Sequence, residues 1–194
     1  MVSVEPRIDS PLAALTTAAQ MLAEPGGVPA VLERVVSVAV ATVGGCSAAT
    51  VSLADDEVPF VSASNADADT SYASVLDLSL TVSDGDDTTK GTLTFFGAQR
   101  QAFGPANRLL AEAYAAVATL AIGTALGQLR AGVREEQLRE AIASRDVIGQ
   151  AKGILMAREN CTAEEAFEFL RRASQRENLK LRDIAARLAG QTPD

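Results

Sequence analysis

The sequence predicts an α+β chain: an antiparallel sheet with flanking helices, then a long linking helix leading into a C-terminal bundle of three short helices. Three observations carry this reading. Four short apolar runs separated by acidic or glycine-containing turns lie between two helical stripes in the first two thirds of the chain. From Pro105 the apolar positions keep helical spacing with no proline and few glycines to stop them. Between Ser144 and Gly190 three amphipathic stripes follow one another, each able to bury its apolar side only against the others. The expected divisions are 1–125 for the sheet domain, with its core at about 28–125, 126–143 for the linking helix, and 144–190 for the helical module.

The front elements come in order. Met1–Pro11 reads as a frayed start and Leu12–Ala23 as a short extra helix before Pro25-Gly-Gly. Val28–Val43 is an amphipathic helix with Val31, Leu32, Val35, Val36, Ala39 and Val43 on its buried side, ended by Gly44 and Gly45. Strands follow at Cys46–Leu53, Val58–Ser64, Val75–Val82 and Gly91–Phe96, and their short connections favour antiparallel pairing. A helix opening at Pro105, directly after Gly104, closes the domain with Leu109, Leu110, Ala113, Val117 and Leu120 facing inward. That helix continues. Ile122, Leu126, Leu129 and Val133 take the alternating four- and three-residue steps of a coiled-coil seam, and after a break at Glu136–Gln137 the stripe resumes at Leu138 and Ile142. Either these residues join two copies of the chain or the helix packs on its own domain.

The stretch SRDVIGQAKGILMA, Ser144–Ala157, sets Val147, Ile148, Ala151, Ile154 and Leu155 on one helical face. Arg145, Gly149, Lys152, Gly153 and Met156 occupy the opposite side. Each glycine inside a helix costs about 1 kcal/mol relative to alanine, so two of them one turn apart mark a place that something approaches closely. A phosphate backbone drawn by Arg145 and Lys152, or a tightly packed helix, would both suit. Thr162 with Glu165 three residues later spells a capping box that starts the next helix, whose apolar stripe is Ala163, Ala166, Phe167, Leu170 and Ala173, ending at Asn178. The last stripe is Leu181, Ile184, Ala185 and Leu188, stopped by Gly190 and Pro193.

Across SRDVIGQAKGILMARENCTAEEAFEFLRRASQRENLKLRDIAARL the chain resembles the ANTAR domain throughout that domain's length, including the QAKGILM core, the TAEEAF cap and the KLRDIA segment. The resemblance implies a three-helix RNA-binding module that acts in transcription antitermination, as a dimer recognising paired hairpin loops in nascent transcripts. The candidate RNA-facing residues within it are Arg145, Gly149, Gln150, Lys152, Gly153, Arg171, Arg172, Ser174, Lys180 and Arg182, and the candidate dimer seam is the coiled-coil stripe Ile122, Leu126, Leu129 and Val133 read from spacing. The module's aromatics are Phe167, on the core stripe, and Phe169, about 100° off it, which suits packing or a dimer contact better than base stacking.

The order of helix, strands and long helix resembles a GAF domain, and KGTLTFFGAQRQAFGPANRLLAEAYAAVATLAIGTAL is similar to its final strand and helix. A GAF domain roofs its ligand pocket with a helix-containing excursion; here only NADADTSYAS, Asn65–Ser74, is available, and it holds no cysteine or histidine for a chromophore or haem. The expectation is a degenerate sensor with no small-molecule ligand and no cofactor, an unusual pocket being the alternative. The acidic turns Asp55–Glu57 and Asp84–Asp87 lack calcium-loop spacing and read as solvated loops.

Composition narrows the function classes. The 194 residues contain no histidine, which removes the usual general base and the commonest metal ligand, so no enzyme is expected. Cys46 and Cys161 form neither a disulfide framework nor a metal spacing. A cytoplasmic protein is expected, since no apolar run of about 18 residues and no basic-then-apolar leader is evident. The net charge of −8 is uneven: Met1–Ala125 hold 5 basic and 14 acidic residues, and Leu126–Asp194 hold 12 and 11. A nearly neutral RNA binder has few charges to set against phosphates, which favours two linked copies. Two other classes remain. LRDIAARLAG fits the opening helix of a DNA-binding helix-turn-helix, though the four residues after Gly190 hold no recognition helix. In an interaction scaffold, the glycines would mediate helix packing instead.

Overall fold

The computed structural model describes residues 10–54, 61–67, 70–84 and 87–190, and its contacts divide the chain into two units, Met1–Arg130 and Ala131–Asp194. The expected frayed start, the Asp55–Glu57 turn, the first half of the second strand and Pro193 lie wholly or largely outside the described residues.

In the first unit, α1 (Pro11–Leu22) and α2 (Val28–Thr42) precede a four-stranded sheet. Its strands are β1 (Ala48–Ala54), β2 (Val61–Ser64), β3 (Ser74–Asp84) and β4 (Asp87–Gly97), and every pairing is antiparallel, in the order β2-β1-β4-β3. Two hairpins thus meet along β1 and β4, in the register Val51↔Leu93. Period-two alternation turns Val51, Leu53, Leu80, Val82, Leu93 and Phe95 inward, where Leu32, Val35 and Ala39 of α2 seal them from solvent. The opposite face is polar: Thr94 Oγ1 donates to Asp77 Oδ1 (2.6 Å), and Thr50 and Ser64 hydroxyls lie 2.7 Å apart. All six expected inward residues of α2 are buried, and Gly45 turns the chain at φ +81°. β3 and β4 extend further than expected, because Ser83↔Thr88 and Val82↔Thr89 continue the ladder into what reads as an acidic turn. No helix occurs among the described residues between β2 and β3.

One helix, α3, spans Pro105–Glu159 and passes through Glu136–Gln137 without interruption. Its inward face in the first unit corrects the expectation. Leu109 and Leu120 are 68% and 73% exposed, Leu110, Ala113 and Val117 are half-buried, and the buried positions are Ala111, Tyr114, Ala115, Ala118, Ile122, Ala125 and Leu126. Alanines on every side of this stretch leave periodicity undecided. Tyr114 settles it: its hydroxyl donates to Val35 O (2.6 Å), its ring meets Phe95 edge-on at 6.2 Å, and the small residues around it allow close approach to the sheet. Ile122 and Leu126 are therefore core residues and not an open dimer seam. α3 also carries an 18-residue window apolar enough to cross a membrane by composition, contrary to the sequence reading; its buried side builds this core. Arg130 closes the unit with Nη2 donating to the buried Thr89 hydroxyl (3.2 Å).

In the second unit, the end of α3 packs with α4 (Ala163–Glu177) and α5 (Leu181–Leu188) around Ala151, Leu170, Ile184 and Ala185. The capping box forms in full: Thr162 N donates to Glu165 Oε2 (2.8 Å) and Glu165 N to Thr162 Oγ1 (3.3 Å). Asn160, Asn178 and Gly190 take left-handed conformations just beyond the ends of α3, α4 and α5, releasing the chain for each turn.

Candidate nucleic-acid interface

The outward face of α3 in the second unit is bare. A Cβ built on Gly149 or on Gly153 meets nothing within 4 Å, so neither glycine serves a helix contact among the described residues. Val147, Ile148, Ala151 and Leu155 on the other side hold the helix to the module's core, which fixes the bare side towards solvent. Met156, one turn along, is 39% exposed. Lys152 stands between the glycines with Nζ 5.9 Å from the centroid of the Phe167 ring on α4. This corrects the core position expected for Phe167. The core is filled by its neighbours Ala166 and Leu170, and the ring is left 38% exposed.

The other expected RNA-facing residues divide into two groups. Arg145, Arg172 and Lys180 are exposed and make no ion pair among the described residues. Gln150 is exposed beside the glycines. Arg171 instead grips Glu168 through Nε (3.1 Å) and Nη2 (2.7 Å). Arg182 bridges Glu140 of α3 and Asp183, tying α5 to α3 within the module. Ser174 is half-buried and donates to Leu179 O (2.6 Å), while its carbonyl accepts from Leu179 N (3.1 Å), so it locks the α4–α5 turn. Sequence spacing did not show these engagements, because the partners of Arg182 and Ser174 depend on how the turn folds back. Phe169, 48% exposed, opens onto a separate apolar groove of about 560 Å³ lined by Leu155, Leu170, Ile184 and Leu188.

Along α3, Leu129, Val133, Leu138 and Ile142 are each at least half exposed, and every residue from Ala131 to Ala143 is open to solvent. Of the four residues expected as a seam, Leu129 and Val133 are the ones left open to solvent. Burial raises the Cys46 thiol to about 11, and its Sγ donates to Ala48 O (3.1 Å), which leaves it an inert core residue. Among the described residues no group of three or more histidine, cysteine, aspartate or glutamate side chains could hold a metal ion.

A small three-helix unit with an unobstructed, cation-flanked helix face is the class of module these features define. Residues 136–188 match the ANTAR domain family. The match starts eight residues before Ser144, inside the segment expected as linker. Neither the curated proteins nor the solved structures return a match to the chain. The GAF resemblance of the first unit rests on its sequence pattern alone.

Proposed function

We propose that this protein is an RNA-binding regulator of transcription antitermination. In this reading the ANTAR module holds hairpin loops of nascent RNA on the face formed by Arg145, Gly149, Gln150, Lys152 and Gly153, with Arg172 and Lys180 contributing charge. The observation that carries the reading is the pair of open glycines beside Lys152, within a segment that matches the family. Helical glycines with empty space around them are destabilising in the free protein, and close approach by a sugar-phosphate backbone gives them a use. The first unit serves as a regulatory, GAF-like domain without a small-molecule ligand. Two copies associate through Leu129 and Val133, an exposed apolar pair on one side of an otherwise solvated stretch of α3; Leu138 and Ile142 lie about half a turn round the uninterrupted helix and are not part of that contact.

The test is a mobility-shift titration with an RNA carrying two stem-loops and duplex DNA as control. The wild-type protein is expected to shift the RNA alone. Gly153→Leu and Lys152→Glu are expected to abolish the shift with helical content and thermal stability retained. Equal affinity for duplex DNA, or no shift of either, overturns the reading.

A further inference from the structure

We infer that Phe167 is the stacking platform for an unpaired base of the bound RNA, with Lys152 taking the phosphate beside it. The inference rests on the RNA reading above and adds to it a side chain that the sequence pattern assigns to the core. An aromatic ring at a core position normally disappears into the core, yet Ala166 and Leu170 take that role at 0% and 2% exposure and leave Phe167 38% open. The same ring carries the ammonium of Lys152 5.9 Å from its centroid. A π-face and a cation on one patch are the two elements a single-stranded nucleotide needs, since the base stacks and the phosphate is neutralised.

Access and charge agree with this role. Gly153 follows Lys152 directly and Gly149 lies one turn before, and a Cβ on either would meet nothing within 4 Å, so the backbone on both sides of Lys152 is open to a ligand. Arg171, one turn beyond Phe167 on α4, neutralises Glu168 next to the ring and reduces the repulsion a phosphate would meet. Phe169, although more exposed at 48%, has different surroundings. It lines a groove with Leu155, Ile184 and Leu188 whose rim carries Glu159, Glu177 and Arg187, and no cation stands over its ring among the described residues.

Because the chain contains no tryptophan, Phe167→Trp creates a single fluorescent reporter at the patch and Phe169→Trp a matched control. Titration with the two-stem-loop RNA is expected to quench the tryptophan at position 167 saturably, with the same midpoint as the mobility shift, and to leave the one at 169 unchanged. Phe167→Leu should weaken binding about tenfold or more, with Phe167→Tyr restoring it, while circular dichroism shows both variants folded. If the wild-type protein does not shift the RNA, the RNA reading has failed and this inference with it. If the wild type binds while Phe167→Leu binds equally well and Phe167→Trp is not quenched, the stacking role alone is overturned. A loss of dimer mass in Phe167→Leu without a loss of RNA affinity would show the ring to be a protein contact, and likewise overturns it.

Discussion

In the N-terminal unit Leu32, Val51, Leu93, Phe95 and Ile122 are sealed from solvent by a sheet and its helices, whereas in the C-terminal unit the buried apolar residues among those described are Ala151, Ala166, Leu170, Ile184 and Ala185. The first unit is held by burial of large side chains. The second relies far more on a reciprocal cap at Thr162, left-handed asparagines at 160 and 178, and ion pairs such as Arg182–Glu140 and Arg187–Glu177. Exposed ion pairs contribute little, about 1 kcal/mol or less each, so the caps and the few buried contacts carry the module. A unit that buries so little keeps its side chains for partners. The same helix shows the contrast directly, for Ile122 and Leu126 are fully buried while Leu129 and Val133 are half exposed.

The largest expected effect breaks the comparison at that point on α3. Leu126→Glu places a carboxylate in a closed apolar core and should destabilise the N-terminal unit by more than about 4 kcal/mol, removing its thermal transition. Leu129→Glu, three residues on and open to solvent, should cost about 0.5 kcal/mol or less and shift the sedimenting mass from dimer towards monomer. Calorimetry and sedimentation together check both. Comparable unfolding by the two substitutions would mean that the core extends further along α3, and a Leu129→Glu protein that stays dimeric would place the self-association elsewhere.

The contrast also explains which parts of the molecule could be read from sequence. α2, the antiparallel strands and the C-terminal helices were legible, because Val31 to Val43, the alternation in β1 and the Thr162–Glu165 pair each carry a local signal. The inward face of α3 was not. In AEAYAAVATLAIGTAL small apolar residues surround the helix, and only the long-range bond from Tyr114 to Val35 selects a side. At the candidate site the bare face is legible as Gly149, Lys152 and Gly153, while helical spacing alone assigns Phe167 to the stripe that Ala166 and Leu170 fill. Arg182 and Ser174 look like surface groups in one dimension; their partners Glu140 and Leu179 come to them only through the turn.

A mid-sized effect tests whether caps really substitute for core in the second unit. Thr162→Ala should cost about 1 kcal/mol, enough to lower the unfolding temperature of the C-terminal unit and leave that of the N-terminal unit in place. Glu165 adds a pH signature. Hydrogen bonds from the Thr162 backbone N–H and then its side chain hold the Glu165 carboxyl below its ordinary value of 4.5. The folded form thus binds its proton less readily than the unfolded chain, so its contribution is complete above the ordinary value and fades as pH falls through the lowered one. Thermal melts between neutral and acid pH should show this fading in the wild type and a weaker dependence in Glu165→Gln. The same slope in both proteins would assign the acid sensitivity to other carboxylates.

The smallest effect concerns the glycines, where the two units make opposite demands. Gly91 of β4 sits so close to Ser52 O that a Cβ would approach it to 2.5 Å, so an alanine there must strain the sheet. Gly149 and Gly153 have open space in the same test. Gly149→Ala and Gly153→Ala should therefore each stabilise the C-terminal unit by about 0.5 to 1 kcal/mol, through restricted freedom of the unfolded chain and better helix propensity. In a unit of this size that is a rise of several degrees in unfolding temperature. RNA affinity should fall at the same time, because even one methyl group holds a sugar-phosphate backbone away from the helix. The two readouts separate the possible reasons for a glycine here. A gain in stability with a loss of affinity is the signature of a surface kept bare for its ligand. A loss of stability would mean that the glycines serve packing, and a gain in stability with unchanged affinity would mean that the RNA contact lies on another face of the module.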